Sequence, residues 1–367
     1  MKILVTFGTR PEALKFVPLI RALRNSKGFK CFVCLTGQHR EMVDQVTKLF
    51  RIKIDVDLKL MRPNQSLEYL AQQVISKFGK VLNKIKPDLV FVQGDTTTAV
   101  MVALASFYAK FPIAHLEAGL RTGNKNHPFP EETNRVLISR LADFHFTPTR
   151  IATYNLVQEG INKNTIFQVG NTIVDTIRLM RPLIRSRYEV FKNVDMKKRI
   201  LFVTAHRRES FGKPLKEIFL ALKKIKKQFV DIEIIYPVHL NPNVRLPAHA
   251  VLAGIKGIHL LRPLTYEETG WILDRCYAVL TDSGGIQEEA PSFQKPVLVL
   301  REVTERPEGV QAGIAKVVGT NQQRIFRAVK ILLESKQIYK RMTNKRNPYG
   351  DGFAASRMLS YLEKIQT

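Results

Sequence analysis

The sequence lacks the long apolar runs of membrane proteins. No stretch approaches the roughly eighteen apolar residues of a membrane-spanning helix, although apolar residues make up 45% of the 367-residue chain. The N-terminal run from Met1 to Gly8 is too short for a signal peptide and has no cleavage site of small residues. We therefore expect a cytoplasmic protein with no membrane partner, in which this run forms a β-strand.

Cysteine is also scarce, with three residues in the chain. Cys31 and Cys34 have the spacing of a redox or zinc-binding pair, but they lie in an apolar, strand-like stretch and no second pair occurs elsewhere. The sequence therefore favours buried structural thiols and predicts no metal site.

Acidic residues are fewer than basic ones: the chain has 32 Asp and Glu but 58 Lys and Arg, which gives a formal charge of +26. Such a charge permits a nucleic-acid partner. However, the basic clusters at residues 197–199 and 223–227 lie on or beside predicted amphipathic elements and contain no aromatic residues. We expect solvated faces and no nucleic-acid partner, with attraction of an anionic substrate as a secondary effect. A polyanion-binding protein remains the non-enzymatic alternative.

Apolar strands alternate with amphipathic helices along most of the chain, which is typical of a parallel sheet covered on both faces. A charged stretch at residues 181–198 separates two such series, and the second begins at residue 199. We predict an α/β fold of two doubly wound, Rossmann-like domains whose strand ends face a cleft. The predicted strands of the first series are residues 2–7, 30–36, 88–93, 112–116, 144–147 and 165–169.

Polar residues follow several strands of the first series. Asp95 and Glu117 come after neighbouring strands, and Glu131 lies in the first turn of a later helix. If the three carboxylates converge, repulsion and burial would raise at least one pKa, as acid/base catalysis requires. Capping explains Asp95 equally well, and an acidic residue suits a helix N-terminus without any function. Arg10 and Lys15, near the end of the first strand, are either surface charges or phosphate ligands.

The second series contains a glycine-rich turn between a strand and a helix, Ser283-Gly284-Gly285. Two glycines and a helix N-terminus suit a phosphate group, although Asp282 or Ser283 could simply cap the helix. Glu289, further along this helix, would suit sugar or ribose hydroxyls.

Cationic side chains gather at other strand ends of the second series. His206 and Arg207 lie at a turn where like charges suggest an anion site, and Arg306 follows a later strand. His239 is ambiguous.

An ordered set of motifs across nearly the whole chain resembles the non-hydrolysing UDP-N-acetylglucosamine 2-epimerases. The motifs are Gly8-Thr9-Arg10-Pro11-Glu12, Gly94-Asp95-Thr96-Thr97-Thr98, Glu117-Ala118-Gly119-Leu120-Arg121-Thr122, Pro130-Glu131-Glu132 with Asn134-Arg135, Ala205-His206-Arg207-Arg208-Glu209, Asp282-Ser283-Gly284-Gly285 with Gln287-Glu288-Glu289-Ala290-Pro291, and Thr304-Glu305-Arg306-Pro307-Glu308.

The resemblance implies a GT-B-like pair of domains, a C-terminal helix that crosses back to the first domain, and a homodimer. We accordingly expect a first domain of residues 1–170 completed by 352–367, and a UDP-binding second domain of residues 171–351. The implied reaction interconverts UDP-N-acetylglucosamine and UDP-N-acetylmannosamine without a cofactor, through loss and re-addition of UDP, in surface-polysaccharide biosynthesis. The lack of a Gly-x-Gly-x-x-Gly turn after the first strand is consistent with a reaction independent of NAD.

The resemblance also implies roles for individual residues. The implied acid/base residues are Asp95, Glu117 and Glu131, with His206 assisting the leaving diphosphate. The implied substrate ligands are Arg10, Lys15, Ser283, Gly284, Gly285, Glu289 and Arg306. A possible regulatory site for a second UDP-N-acetylglucosamine involves Gln38, Arg207 and His239.

Two enzymatic alternatives remain open. The chain could epimerise a modified sugar, such as a UDP-2,3-diacetamido uronate or UDP-N-acetylfucosamine. It could also be a GT-B glycosyltransferase, which would transfer the sugar to an acceptor.

Overall fold

The computed structural model describes residues 1–37, 41–62, 65–126 and 128–366. The chain forms two compact units. Unit 1 contains residues 1–178 and 349–367, and unit 2 contains residues 179–348.

Unit 1 is built on a seven-stranded parallel sheet with the strand order β3-β2-β1-β4-β5-β6-β7. Helices follow the strands in the βα alternation that the sequence predicts. The elements are β1 (Lys2–Phe7), α1 (Arg10–Asn25), β2 (Lys30–Leu35), α2 (Glu41–Leu49), β3 (Val56–Asp57), α3 (Leu67–Ile85), β4 (Leu89–Gln93), α4 (Thr97–Tyr108), β5 (Ile113–Leu116), α5 (Glu131–Leu141), β6 (Phe144–Thr147), α6 (Arg150–Gln158), β7 (Ile166–Gln168) and α7 (Thr172–Met180).

Unit 2 has a six-stranded parallel sheet with the order β10-β9-β8-β11-β12-β13. Its elements are β8 (Arg199–Thr204), α8 (Lys213–Gln228), β9 (Ile232–Pro237), α9 (Pro242–Leu252), β10 (Ile258–Leu261), α10 (Tyr266–Arg275), β11 (Ala278–Thr281), α11 (Gly284–Glu289), β12 (Val297–Val299), α12 (Pro307–Gln311), β13 (Ala315–Val317), α13 (Gln322–Glu334) and α14 (Lys336–Thr343).

The central strands of both sheets are apolar because helices cover both of their faces. All five residues of β4 and all four of β11 are buried. Burial on both faces removes the alternation of polar and apolar residues that a half-exposed strand would show. The prediction of parallel, doubly covered sheets is therefore confirmed.

The last helix, α15 (Ala354–Gln366), packs on α1 of unit 1. Its first turn is capped by Asp175 of α7, whose carboxylate accepts hydrogen bonds from the backbone N–H groups of Ala354 at 3.2 Å and Ala355 at 3.0 Å. The expected return of the C-terminal helix to the first domain is confirmed.

Unit 1 extends beyond the boundary expected at residue 170 and includes most of α7. The apolar residues Ile173 and Ile177 of this helix are buried, and the Thr176 hydroxyl donates to the Leu14 carbonyl oxygen at 2.6 Å. These contacts join α7 to α1.

The three thiols are free, and burial raises the pKa of each to about 12. Cys34 and Cys276 are buried, as expected, and Cys31 is partly buried. Within the described residues, three or more His, Cys, Asp or Glu side chains nowhere gather in a way that could hold a metal ion. The helices of this same part of the chain are also too short or too polar to cross a membrane.

Candidate functional site

Glu117 is the centre of a buried polar cluster in unit 1. It follows β5 directly and adopts a left-handed backbone conformation with φ of 66°, which is uncommon for a residue other than glycine. The Lys15 ammonium and the Gln93 side-chain amide donate to its two carboxylate oxygens. The side chains of Lys15 and Glu117 are each 8% exposed. Lys15, a predicted substrate ligand, thus lies beside a predicted acid/base residue as its ion-pair partner.

Asp95 lies just after the neighbouring strand β4 and is anchored to α5. The Arg135 guanidinium donates to Asp95 Oδ2 through Nη2 and through Nε at 3.1 Å. The Asn134 side-chain amide donates to the Asp95 carbonyl oxygen at 2.9 Å. The Asp95 side chain is 25% exposed, so the carboxylate is held in place but remains accessible.

Glu131 is the first residue of α5, the helix that supplies both partners of Asp95, and it is partly exposed. The predicted acid/base residues are thus linked through β4, β5 and α5. Glu117 lies beside the Lys15 ammonium and Asp95 beside the Arg135 guanidinium, so positive charge offsets the repulsion that the sequence predicts for these carboxylates if they converge.

Arg10 begins α1, and the turn before it is fixed by Glu12, a residue to which the sequence analysis gave no role. Glu12 Oε2 accepts from the backbone N–H of Gly8 at 2.9 Å and of Thr9 at 2.7 Å, and from the Thr9 hydroxyl at 2.8 Å. Its other oxygen accepts from the Thr96 hydroxyl at 2.7 Å. Glu12 therefore ties the turn that carries Arg10 to the turn that carries Asp95. The available signal was the spacing Thr-x-x-Glu, typical of a helix start.

His115 stabilises the turn that carries Asp95, and the sequence analysis assigned it no role either. Its Nε2 donates to the carbonyl oxygen of Gly94 at 2.8 Å, and burial lowers its pKa to about 3, so the ring is neutral. Gly94 precedes Asp95 and has φ of 66°, a conformation that glycine adopts without steric cost. A histidine inside an apolar strand gave no sequence signal for this contact.

In unit 2, the turn after β8 is held by Asp282, which is fully buried. One of its oxygens, Oδ2, accepts from the backbone N–H groups of His206 at 2.5 Å and Arg207 at 2.7 Å. The His206 ring stacks on the ring of His239 with centroids 5.4 Å apart and planes inclined by 8°. The predicted residues His206, Arg207 and His239 therefore form one group, while Gln38 lies outside the described residues.

The glycine-rich turn adjoins this group. The Ser283 hydroxyl accepts from the Ile286 N–H at 3.5 Å, so Ser283 caps α11, as one of the two sequence interpretations held. A β-carbon at Gly284 would lie 3.8 Å from guanidinium nitrogens of both Arg207 and Arg306. The Glu305 carboxylate is nearer still, 3.4 Å from the same position, so the Gly284 backbone lies beside two cations and this carboxylate. Glu289 is buried, and its carboxylate lies 3.7 Å from the position of a β-carbon at Gly285.

Three arginines surround Glu305, which the sequence analysis did not single out. Burial alone would raise the pKa of Glu305, but the guanidinium groups of Arg306, Arg301 and Arg207 together lower it to about 2. Arg301 donates to its Oε2 at 2.5 Å, and Arg207 lies 3.6 Å from its Oε1. Arg306 also donates to buried Glu288. Buried carboxylates thus hold Arg207 and Arg306 in fixed positions beside Gly284, an arrangement suited to a diphosphate.

Comparison with known proteins covers both units. A family model described as UDP-N-acetylglucosamine 2-epimerase matches residues 21–363. The UDP-N-acetylglucosamine 2-epimerase of Escherichia coli K12 is 47% identical over 370 residues, which cover 99% of this chain and 98% of that protein. The crystal structure of the Neisseria meningitidis UDP-GlcNAc 2-epimerase bound to UDP-GlcNAc superposes with a TM-score of 0.95 at 43% identity, covering 99% of this chain and 100% of that one. The Methanocaldococcus jannaschii enzyme in complex with UDP-GlcNAc and UDP gives a TM-score of 0.86 at 33% identity, with coverage of 99% and 100%.

Proposed function

The chain belongs to the UDP-N-acetylglucosamine 2-epimerase family, and we propose on that basis that it interconverts UDP-N-acetylglucosamine and UDP-N-acetylmannosamine. One observation carries the proposal: the residues of the family resemblance occupy two polar clusters at the carboxyl ends of parallel strands. The cluster of unit 1 is rich in carboxylates, and the cluster of unit 2 is rich in arginine and glycine. Such strand ends are the usual location of ligands in α/β sheets.

The chemistry needs both kinds of cluster. The hydrogen on the second sugar carbon has no adjacent carbonyl, so a base alone faces a prohibitive barrier, and departure of UDP from the neighbouring carbon must accompany proton removal. Elimination leaves a 2-acetamidoglucal. Re-addition of UDP, with protonation on the opposite face, completes the inversion.

We assign proton transfer to unit 1. Asp95, Glu117 and Glu131 are the proposed acid/base residues, because they are carboxylates on two neighbouring strand ends and on the helix that anchors one of them. Lys15 fixes Glu117 and contributes positive charge beside it. Arg10 begins α1 in the turn that Glu12 holds next to these carboxylates.

We assign UDP binding to unit 2. Arg306 and Arg207 lie beside the open backbone of Gly284 and supply positive charge for the diphosphate. Ser283 and Gly285 complete this turn, Glu289 suits sugar or ribose hydroxyls, and His206 assists the leaving diphosphate. Fixed cations at a developing negative charge stabilise the transition state, and about 1.4 kcal/mol corresponds to tenfold in rate.

Turnover in heavy water tests the reaction. UDP-N-acetylglucosamine is incubated with the protein in D₂O, and the sugar is followed by proton NMR and mass spectrometry. We expect UDP-N-acetylmannosamine to form and deuterium to appear at the second carbon of both sugars. Product without deuterium would refute the proton-transfer step. Turnover confined to a modified sugar in a parallel UDP-sugar panel, or transfer to an acceptor, would replace the proposed substrate or reaction.

Variants of the carboxylates test their roles. Asp95→Asn and Glu131→Gln should each lower kcat by about 10²- to 10⁴-fold while UDP affinity stays close to that of the unaltered protein, because general acid/base catalysis contributes about that much. The matched control is Asp88→Asn, at the opposite end of β4, where an exposed carboxylate accepts from the Lys2 N–H. Equal losses in kcat and UDP affinity would mean that the residues bind substrate.

We also propose that the protein is a homodimer, as the resemblance implies. Light scattering coupled to gel filtration measures its mass directly, and a mass near 42.0 kDa, that of one chain, would contradict the dimer.

A further inference from the structure

The buried carboxylate of Asp282 has one oxygen that the turn after β8 does not use. Oδ2 accepts both backbone N–H groups of the turn, whereas Oδ1 has no hydrogen-bond partner in the described part of the chain. Leaving a buried carboxylate oxygen without a donor costs free energy. Such an atom in a functional region calls for an explanation.

The nearest candidate donor is the imidazole of His206. Its Nδ1 lies 3.5 Å from Asp282 Oδ1, slightly beyond a good hydrogen bond. Contacts between catalytic groups are often long without substrate and shorten when it binds. The His206 side chain is 37% exposed while Asp282 is fully buried, so the carboxylate approaches the ring from the protein side.

His239 restricts the ring from a second direction. The Asn241 N–H donates to His239 Nδ1 at 3.1 Å, so this nitrogen carries no proton. Burial, reinforced by the neighbouring His206, lowers the pKa of His239. An uncharged ring therefore stacks on His206 and can accommodate positive charge there, while Arg207 extends from the next position of the turn to Glu305.

We propose that Asp282 is a positioning residue that keeps a proton on Nδ1 of His206 and so makes Nε2 the atom that gives its proton to the leaving diphosphate. The inference rests on the proposed function. In the elimination, a carboxylate of unit 1 takes the proton from the second sugar carbon, and the electrons of that C–H bond form the sugar double bond. The electron pair of the breaking C–O bond stays with the diphosphate oxygen, which takes the Nε2 proton. His206 ends as neutral imidazole with its Nδ1 proton still directed at Asp282. On re-addition the diphosphate oxygen returns its proton to Nε2 as it bonds to the first sugar carbon, while another carboxylate of unit 1 gives a proton to the opposite face of the second carbon.

Asp282→Asn separates positioning from folding. The amide oxygen can replace Oδ2 and keep both backbone N–H groups, while the amide NH₂ then faces Nδ1 and forces that nitrogen to accept. The neutral ring would carry its proton on Nε2, where it can donate a hydrogen bond but cannot give the proton away without becoming an anion. A wrong histidine tautomer of this kind lowers kcat about 10⁴-fold in the serine-protease triad.

The first measurement is the tautomer itself, in the absence of substrate. With ¹⁵N-labelled histidine, the His206 ring signals are assigned by their loss in His206→Ala and measured at alkaline pH, where the ring is neutral. We expect the proton on Nδ1 in the unaltered protein and on Nε2 in Asp282→Asn. A proton on Nε2 in the unaltered protein would overturn the inference without any variant having to fold.

The second measurement is kinetic. Asp282→Asn should lower kcat by about 10²- to 10⁴-fold with little change in UDP affinity, and it should add almost no further loss to His206→Ala, because it acts through that ring. Independent, multiplying losses would contradict the proposal.

Glu233→Gln is the matched control. Glu233 is a buried carboxylate of the same unit whose Oε2 lies 2.5 Å from Nε2 of His259, outside the two clusters. This variant should leave kcat and the His206 tautomer unchanged. A protein that does not epimerise at all would overturn the proposed function, whereas a wrong tautomer overturns only the role of Asp282.

Discussion

The Lys15–Glu117 ion pair is deeply buried, with both side chains 8% exposed. Taking two charges out of water costs free energy that a good mutual contact offsets, so removing the Lys15 ammonium deprives the buried Glu117 carboxylate of a stabilising contact. We expect Lys15→Met to lower the free energy of unfolding by about 3–5 kcal/mol.

The double variant Lys15→Met/Glu117→Gln tests this account, since it removes both charges. Urea denaturation should show the double variant to be more stable than Lys15→Met alone, although inactive. Additive losses from the two substitutions would mean that the pair is not coupled.

Glu12 should make stability depend on pH. Burial raises the pKa of Glu12 above its ordinary value of 4.5, although hydrogen bonds from Thr96, Gly8 and Thr9 oppose this shift. Protonated Glu12 therefore contributes stability that is fully present below about pH 4.5 and is lost as the pH rises through the folded-state pKa. Glu12→Gln keeps one oxygen for the backbone donors and can donate to the Thr96 hydroxyl, so it removes the charge without removing the contacts.

The measurement is the unfolding free energy of Glu12→Gln relative to the unaltered protein between pH 4.5 and 8. This difference should increase in favour of the variant as the pH rises. Glu363→Gln, at an exposed position of α15, serves as control and should show no such increase. If the stability of Glu12→Gln relative to the unaltered protein stays constant or falls as the pH rises, burial does not raise the pKa of Glu12.

Among the helices and strands, longer segments with a clear apolar pattern were predicted better than short ones. Strands β1 and β6 were predicted with the bounds that the structure shows, and Gly8 and Pro148, residue types that interrupt strands, follow them directly. The short strands β3 and β13 were not predicted, since two or three residues show no periodicity. Helix α9 was also missed, and Pro247 within it is a residue that normally indicates a helix end.

In the candidate site, the sequence could predict where residues lie along the sheet edge but not which side chains they contact. Because parallel strands end at one edge of a sheet, the sequence could place Asp95 and Glu117 near each other. It could not identify Lys15 as the partner of Glu117, since the two are 102 residues apart and their contact depends on how α1 packs on the sheet, where it contacts β1, β2 and β4. Nor could it identify Asp282 as the acceptor for the turn after β8, which requires the register of β8 and β11.

Helix α15 contributes core residues to unit 1. Its residues Met358 and Leu362 are fully buried although the helix lies at the end of the chain. Met358→Ala should lower the free energy of unfolding by about 2–5 kcal/mol, because it removes a core side chain and leaves a cavity. Ser356→Ala, at an exposed position of the same helix, is the control and should be close to neutral. Equal melting temperatures for the two variants would show that α15 contributes little to unit 1.

For the whole molecule, the three thiols provide chemical probes in both units. Cys31 and Cys34 belong to unit 1 and Cys276 to unit 2, and burial raises each pKa to about 12. A thiol-specific reagent should therefore modify the native protein only slowly at neutral pH, since the thiolate is the reactive form. After unfolding it should modify all three thiols.

Labelling rates across a urea series, resolved by mass spectrometry, would show whether the units unfold together. If they open separately, Cys276 should become reactive at a different urea concentration from Cys31 and Cys34. Fast labelling of the native protein at all three positions would contradict their burial.

Because unit 1 is built from two segments that lie far apart in the sequence, its folding depends on the order in which the nascent chain is synthesised. A ribosome delivers residues 1–178 first, then all of unit 2, and only afterwards residues 349–367. Until α15 emerges, the surface of α1 that it covers has no neighbour, and Asp175 has no helix to cap. The half of the protein that is synthesised first is thus the half that matures last, and any pause late in translation prolongs its exposure to chaperones and proteases.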